Sequence, residues 1–415
     1  MEKTISIRKR WRFDRKGDLF LLILLIILTA SQISVFIPFY SQAVTLLFTT
    51  MVLLFIDGRY FRSIPFFLLM LYFLVVFLNY LTGDNYFSNV LHVFEEIGNL
   101  LLPSAVFYYV MKTGNFKLLN ALVIMFLLYV LYVTISSTII EIVNPGIIRY
   151  TVVYAQMGEF ETVDKYLRQG LSSYMFPHAL PIIIPPIVMG IKNKANTKLQ
   201  KNLLIIMLAV TLYMIYLSSV AMALFLAFFI LVASIFVKGS TRMKSIIPLL
   251  FFGAVIFIVV SIMISNGLLH NLSEIFSDTA FGSKFEDVER TYNSGVASGD
   301  INARANKYKI TTEALSGHLL LGSNKPMGEH SSFYDRLGSL GIIGIIPYVW
   351  FLVMQIKITR SYIPKECKVY YFLGMVAAFT MLALKNTSNW HTWSIFLLFM
   401  PLMIILFYNP NNQQS

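Results

Sequence analysis

The sequence predicts an all-α polytopic membrane protein, with about twelve transmembrane helices and one large extracytoplasmic loop containing short helices. Three observations predict it. Only 13% of the 415 residues are charged, 57% are hydrophobic and mean hydropathy is +0.69, whereas an ordinary soluble domain carries about 25% charge. The apolar residues come in blocks near the length, about 20 residues, that spans a bilayer core. Lys and Arg concentrate on alternate connections between those blocks. This excludes a soluble enzyme, a disordered chain and a nucleic-acid-binding module. The single cysteine, Cys367, excludes a disulfide framework, a zinc ribbon and a thioredoxin-like pair.

The blocks run from Leu19 to Ile37, Ala43 to Ile56, Ile64 to Leu81, Ile97 to Met111, Leu118 to Ile140 and Tyr174 to Ile191. They continue from Leu203 to Leu217, Val220 to Val237, Ile246 to Ile264, Leu340 to Ile356, Val369 to Leu384 and Trp393 to Tyr408. The seventh and eighth meet at Ser218-Ser219. The first follows a basic stretch, as a signal peptide does. It lacks a small-x-small cleavage site and further spans follow, so it reads as a retained helix.

An even number of spans puts both termini on one side. Connections on that side hold Arg8 to Lys16, Arg59, Arg62, Lys112, Lys117, Lys192 to Lys201, Lys238 to Lys244 and Lys357 to Lys368. Acids there are few: Glu2, Asp14, Asp18, Asp57 and Glu366. The positive-inside rule places both termini in the cytoplasm, and the net charge of +12 becomes a topology signal with attraction to anionic lipid. The chain then reads as one integral membrane domain, 1–415, with a basic cytoplasmic N-terminus (1–18) and a cytoplasmic tail (409–415). Two substantial outer segments cover 141–173 and, much larger, 265–339. Loops this long inside a compact protein are usually functional. The cytoplasmic connections leave no room for a nucleotide-binding domain, and no Gly-rich phosphate loop occurs.

In the large loop, Ala303 to Ser316 has apolar residues at roughly helical spacing, Gly317 to Glu329 is turn-rich, and His330 opens the return to the membrane. The smaller loop ends in Tyr166-Leu167-Arg168-Gln169-Gly170. Arg304 opening a helix, Gly322, the run His330, Ser331, Phe333, and then Gly338, Gly341 and Gly344, together with Arg168 and Gly170, resemble the O-antigen ligase and polymerase superfamily. The resemblance is greatest to oligosaccharide repeat-unit polymerases of the Wzy type. Specific motifs cover about 60 residues, and two departures exist. The Ser218-Ser219-Val220 junction lacks the arginine many relatives carry, and neither outer loop has an arginine and a glycine spaced as in one polymerase subgroup.

The resemblance implies a glycosyltransferase that polymerises undecaprenyl-pyrophosphate-linked repeat units (O-antigen, capsule or exopolysaccharide) on the outer face of a bacterial plasma (inner) membrane. Its implied partners are that lipid-linked oligosaccharide, membrane lipids, a chain-length regulator and a flippase, with no nucleic acid. An O-antigen ligase, sharing donor and chemistry, is the alternative. A lipid-oligosaccharide flippase fits less well, because the middles of the spans hold essentially no charge and the halves are unrelated. In this reading Arg304 and Arg168, helped by Arg336 or Lys307, hold the pyrophosphate through paired guanidinium donors, and His330 accepts the acceptor hydroxyl's proton. Arg336 has a competing role, pairing with Asp335 or another nearby acid. His178, His270 and His318 read as structural or interfacial, and His391, in Asn389-Trp390-His391 near Lys385, as part of an interfacial aromatic anchor.

The acidic run Glu286 to Glu289 reads as a solvated helix face, and no HExxH or EF-hand pattern appears. No cofactor and no metal are expected. Tyr292, Tyr308 and Tyr334 are the loop tyrosines placed to stack on sugar rings.

Overall fold

The computed structural model describes residues 16–30, 42–81, 90–157, 159–237, 268–275, 277, 280–294, 296, 299–323, 327, 330–385 and 387–408. Regular structure among them is helical throughout. In chain order the helices are α1 (Lys16–Ala30), α2 (Gln42–Ile56), α3 (Ile64–Leu81), α4 (Val90–Thr113), α5 (Phe116–Val143), α6 (Ile147–Gln156), α7 (Phe160–Arg168) and α8 (Phe176–Lys192). Then come α9 (Lys198–Leu217), α10 (Ala221–Phe236), α11 (Leu268–Ile275), α12 (Ala280–Ser294), α13 (Gly299–Ser316), α14 (Ser332–Tyr362), α15 (Lys368–Leu384) and α16 (Trp390–Tyr408).

Among the described residues, six segments are long and apolar enough to cross a membrane: α3, α5, α9, α14, Lys365–Leu384 and α16. Thr45–Ile56, α8 and α10 are shorter and equally apolar. The chain thus has the character of a multi-pass membrane protein. Its apolar surface agrees: Phe55, Phe67, Ile142 and Leu199 are exposed on helix faces, where a soluble protein would tolerate no such continuous patch. Burial separates inner from outer helices. The apolar stretch of α16 is 89% buried, whereas those of α3 and α9 are 22% buried. A helix apolar all round belongs at the centre, and α16 packs against α5, α8 and α15.

The ninth apolar block, Ile246 to Ile264, lies outside the described residues, as do 1–15, 31–41 and 409–415. Two helices begin about two turns before their apolar blocks: α4 at Val90 and α14 at Ser332. This brings Glu96 and Arg336 inside the first two turns of helices, ahead of the span middles that read as uncharged. The two form a buried ion pair at 2.6 Å. Arg336 also donates to Tyr72 Oη (3.1 Å), the Ser332 carbonyl (2.6 Å) and Ser388 Oγ (2.6 Å), and lies over the Tyr348 ring. The pair ties α3, α4, α14 and the start of α16 together. Asp335, the nearest acid in sequence, is used elsewhere.

α14 is broken at Gly341 (φ 67°, ψ −177°), a conformation essentially restricted to glycine. In an unbroken helix the Ile342 and Ile343 amides would donate to the carbonyls four residues back. Here they donate to Leu319 and Leu320 of the preceding loop at 3.0 and 3.1 Å. The carbonyls left over are taken up in turn: Gly338 accepts from Ser323 N (3.0 Å) and Ser339 from Asn79 Nδ2 (3.2 Å). The loop backbone docks so closely that a Cβ on Gly322 (φ 79°) would lie 2.0 Å from the Ser339 carbonyl oxygen. A Cβ on Gly341 would lie 2.4 Å from both Gly322 N and the Leu320 carbonyl oxygen. These are backbone atoms, so the clash has no side-chain remedy. Gly341→Ala should therefore release the loop at a cost of about 1–3 kcal/mol. Limited proteolysis should show cleavage within 317–329 that the wild-type chain resists, with total helicity unchanged.

Candidate functional site

The loop that Gly322 and Gly341 dock leads directly to His330. Ser331 caps α14, its Oγ accepting from Tyr334 N (3.3 Å). Asp335 closes the turn by accepting from the Ser331 amide (3.0 Å) and the His330 amide. The same carboxylate accepts from Thr311 Oγ1 at 2.9 Å, and Thr312 Oγ1 meets Tyr334 Oη at 2.7 Å. α13 is thereby fastened across the start of α14. Arg304, Lys307, Tyr308 and Thr311 are spaced three or four apart and form one stripe of α13. Thr311 fixes the register that delivers the other three to His330.

The His330 imidazole is half-buried with the Tyr308 ring edge-on at 5.6 Å. Its Nε2 is buried and has no hydrogen-bond partner among the described residues. Burial lowers its pKa first, then the charges of Lys385, Arg304 and Lys307, together to about 4. At neutral pH the ring is therefore uncharged and its free nitrogen can accept a proton, while three cations face the space around it. Cations from separate elements beside a neutral imidazole can hold an anion and take up a proton from a neighbouring hydroxyl.

Of the residues expected at a site, the structure thus brings together His330, Arg304 and Lys307. Arg168 ends α7 as an exposed residue, and the segment after it is fastened to α5 by Ser136 Oγ to the Gly170 carbonyl (2.6 Å) and Ser172 N to Ser137 Oγ (2.8 Å). Arg336 is turned away, committed to Glu96. The reason is local geometry: six residues after His330 on a helix that starts at Ser332, its side chain points into the bundle. Tyr308 is the loop tyrosine beside the imidazole, with Tyr334 next to it at 6.0 Å, whereas Tyr292 is exposed on α12.

Sequence reasoning missed two cations. Lys385, just past α15, acts on His330 and on His178, and its carbonyl accepts from Ser332 N and Oγ (3.4 and 3.1 Å). Arg149 of α6 joins Arg304 in acting on the Tyr174 hydroxyl. The available signal was an arginine in a short amphipathic helix after Pro145-Gly146. His391 needs a correction too. With Trp390 it is buried, its ring 5.2 Å from Phe176 and stacked on Tyr129, so it is a packing residue of the bundle and no interfacial anchor. His270 is an exposed loop residue near Glu274 and Glu289. Glu286 on α12 pairs with Arg290, and among the described residues no group of three or more His, Cys, Asp or Glu side chains is placed to hold a metal ion.

No family model, curated protein or solved structure matches this chain.

Proposed function

We propose that the protein polymerises oligosaccharide repeat units carried on a polyprenyl pyrophosphate, acting on the outer face of the bacterial plasma membrane. The twelve-span topology with cytoplasmic termini belongs to the same reading. The acceptor hydroxyl oxygen attacks the anomeric carbon of the donor. The anomeric C–O bond to the diphosphate breaks, the polyprenyl diphosphate leaves with that electron pair, and the hydroxyl proton goes to His330 Nε2. Arg304, Lys307 and Lys385 offset the charge that grows on the leaving group, in a site where poor access of water strengthens them. Arg168 is assigned to the same anion at longer reach. Arg336 has no direct part and holds α14 in place.

The observation that carries this reading is the His330 Nε2 atom, buried, unpartnered among the described residues and on a ring kept neutral by burial and then by cations of two elements. The test is glycan chain length in a deletion strain. Loss of long chains, with single repeats still attached to their acceptor, supports the polymerase. Accumulated lipid-linked polymer would mean a ligase, and repeats trapped on the inner face a flippase.

Two further outcomes follow from the site chemistry. The pH dependence of kcat/KM reports the free enzyme's groups. Because the folded-state pKa of His330 is lowered to about 4, activity should hold as pH falls through 6.5 and decline only near the lower value. Lys385→Met should move that acid limb upward. Stability follows the same sign: the neutral imidazole's share is present above the unfolded pKa of about 6.5 and is lost as pH falls toward the folded value. Treatment with a chelator should leave the rate unchanged; activity abolished by EDTA and restored by a divalent ion would show that a metal does the work assigned to the cations.

A further inference from the structure

Beside His330 the structure holds a second imidazole that the reaction above does not use. His178, in the first turn of α8, is fully buried. Its Nδ1 lies 2.9 Å from the Tyr174 carbonyl oxygen, which can only accept, so Nδ1 carries the hydrogen and Nε2 keeps the lone pair. That Nε2 is buried with no partner among the described residues. Three hydroxyls at the starts of α8 and α16 share this condition: Ser173 Oγ, Thr387 Oγ1 and Thr392 Oγ1. Ser173 precedes α8, and Thr387 and Thr392 flank the Asn389 cap of α16. The first turns of α8 and α16 pack together through Phe176 and His391. The charges of Lys385 and Arg304 act on both His178 and His330.

Native proteins rarely leave four buried polar atoms unpaired at the junction of two helix starts. An aprotic ring nitrogen needs a hydrogen-bond donor and repels an anion. Threonine and serine hydroxyls both give and accept. The complementary ligand is neutral and rich in hydroxyl groups. We propose that His178, Ser173, Thr387 and Thr392 form a sugar-binding subsite, in which His178 Nε2 accepts a hydrogen bond from a hydroxyl of the acceptor glycan and so presents the neighbouring hydroxyl to His330. This rests on the glycan-joining reading and adds the recognition element for the acceptor sugar.

The test uses the full chain in lipid nanodiscs, with two probes titrated calorimetrically. One is the free oligosaccharide released by mild acid from the producing strain's lipid carrier; the other is inorganic pyrophosphate. Wild-type protein should bind both. His178→Ala should weaken the oligosaccharide about tenfold, equivalent to about 1.4 kcal/mol, and leave pyrophosphate unchanged, whereas Arg304→Ala should do the reverse. His178→Gln, which keeps an acceptor, should recover part of the affinity. Thr392→Val separates binding from folding and covers the case in which His178→Ala does not fold. Valine removes an unpaired hydroxyl, so it should raise the unfolding temperature while weakening the oligosaccharide. If Thr392→Val, and His178→Ala where it folds, bind the oligosaccharide like wild type, the atoms serve only buried water or packing and the subsite is refuted while the cation site stands. If wild-type protein binds neither probe, the glycan-joining reading falls with it.

Discussion

Glu96→Ala is expected to leave little folded protein in the membrane. The substitution removes the carboxylate from a guanidinium that is 1% exposed. Arg336 cannot turn to solvent, because its other donors are held by Tyr72, Ser332 and Ser388 within the bundle. Breaking one partner of a buried pair costs about 3–5 kcal/mol, since it strands the other charge, and total stability is commonly about 5–15 kcal/mol. The loss should appear as a large drop in unfolding temperature and in the yield of monodisperse protein. The paired replacement Glu96→Leu with Arg336→Met strands no charge and should recover most of the loss. Wild-type stability in Glu96→Ala would show that the pair is not closed in the folded protein.

His330→Ala is expected to act on rate alone. Its Nε2 has no partner among the described residues, so removing the ring costs no known side-chain hydrogen bond, and the neighbouring turn is held by Ser331 and Asp335. Loss of a general base lowers rates by about 100- to 10,000-fold. Polymer should disappear with protein level and unfolding temperature nearly unchanged. The contrast between the two variants, one losing the fold and the other only the chemistry, separates the Glu96–Arg336 ion pair from the imidazole six residues before Arg336.

Much of this architecture is legible in the amino-acid order because lipid-facing helices announce themselves by hydropathy alone. α3, α5, α10 and α15 start and stop within three residues of their apolar blocks. The helical reading of Ala303 to Ser316 holds as well, with α13 beginning at Gly299. Boundaries fail where a helix carries charge into the interior. Glu95 and Glu96 interrupt the apolar run of α4, and Asp335 and Arg336 interrupt that of α14, so each apolar block begins after them. What permits Glu96 and Arg336 inside is each other, 240 positions apart, and no local pattern encodes such a pairing. The site follows the same division. Arg304 and His330 stand out because they match a family pattern on either side of the turn-rich stretch 317–329. Lys385 does not, because its importance arises only when the end of α15 meets the start of α14 through the Ser332 bonds. The glycines were legible as a motif but not as a mechanism. Their function here is to let the 319–323 backbone take over the hydrogen bonds of a broken helix.

The most direct test of the central claim follows polyprenyl diphosphate release from a lipid-linked oligosaccharide donor by the purified full chain, in a single turnover, for wild type, Arg304→Ala and His330→Ala. The account predicts release coupled to glycosidic-bond formation in the wild type, release slowed at least a hundredfold in His330→Ala, and weakened donor binding in Arg304→Ala. Wild-type turnover by both variants would contradict it, because the cations and the imidazole gathered at the head of α14 would then have no part in joining glycans.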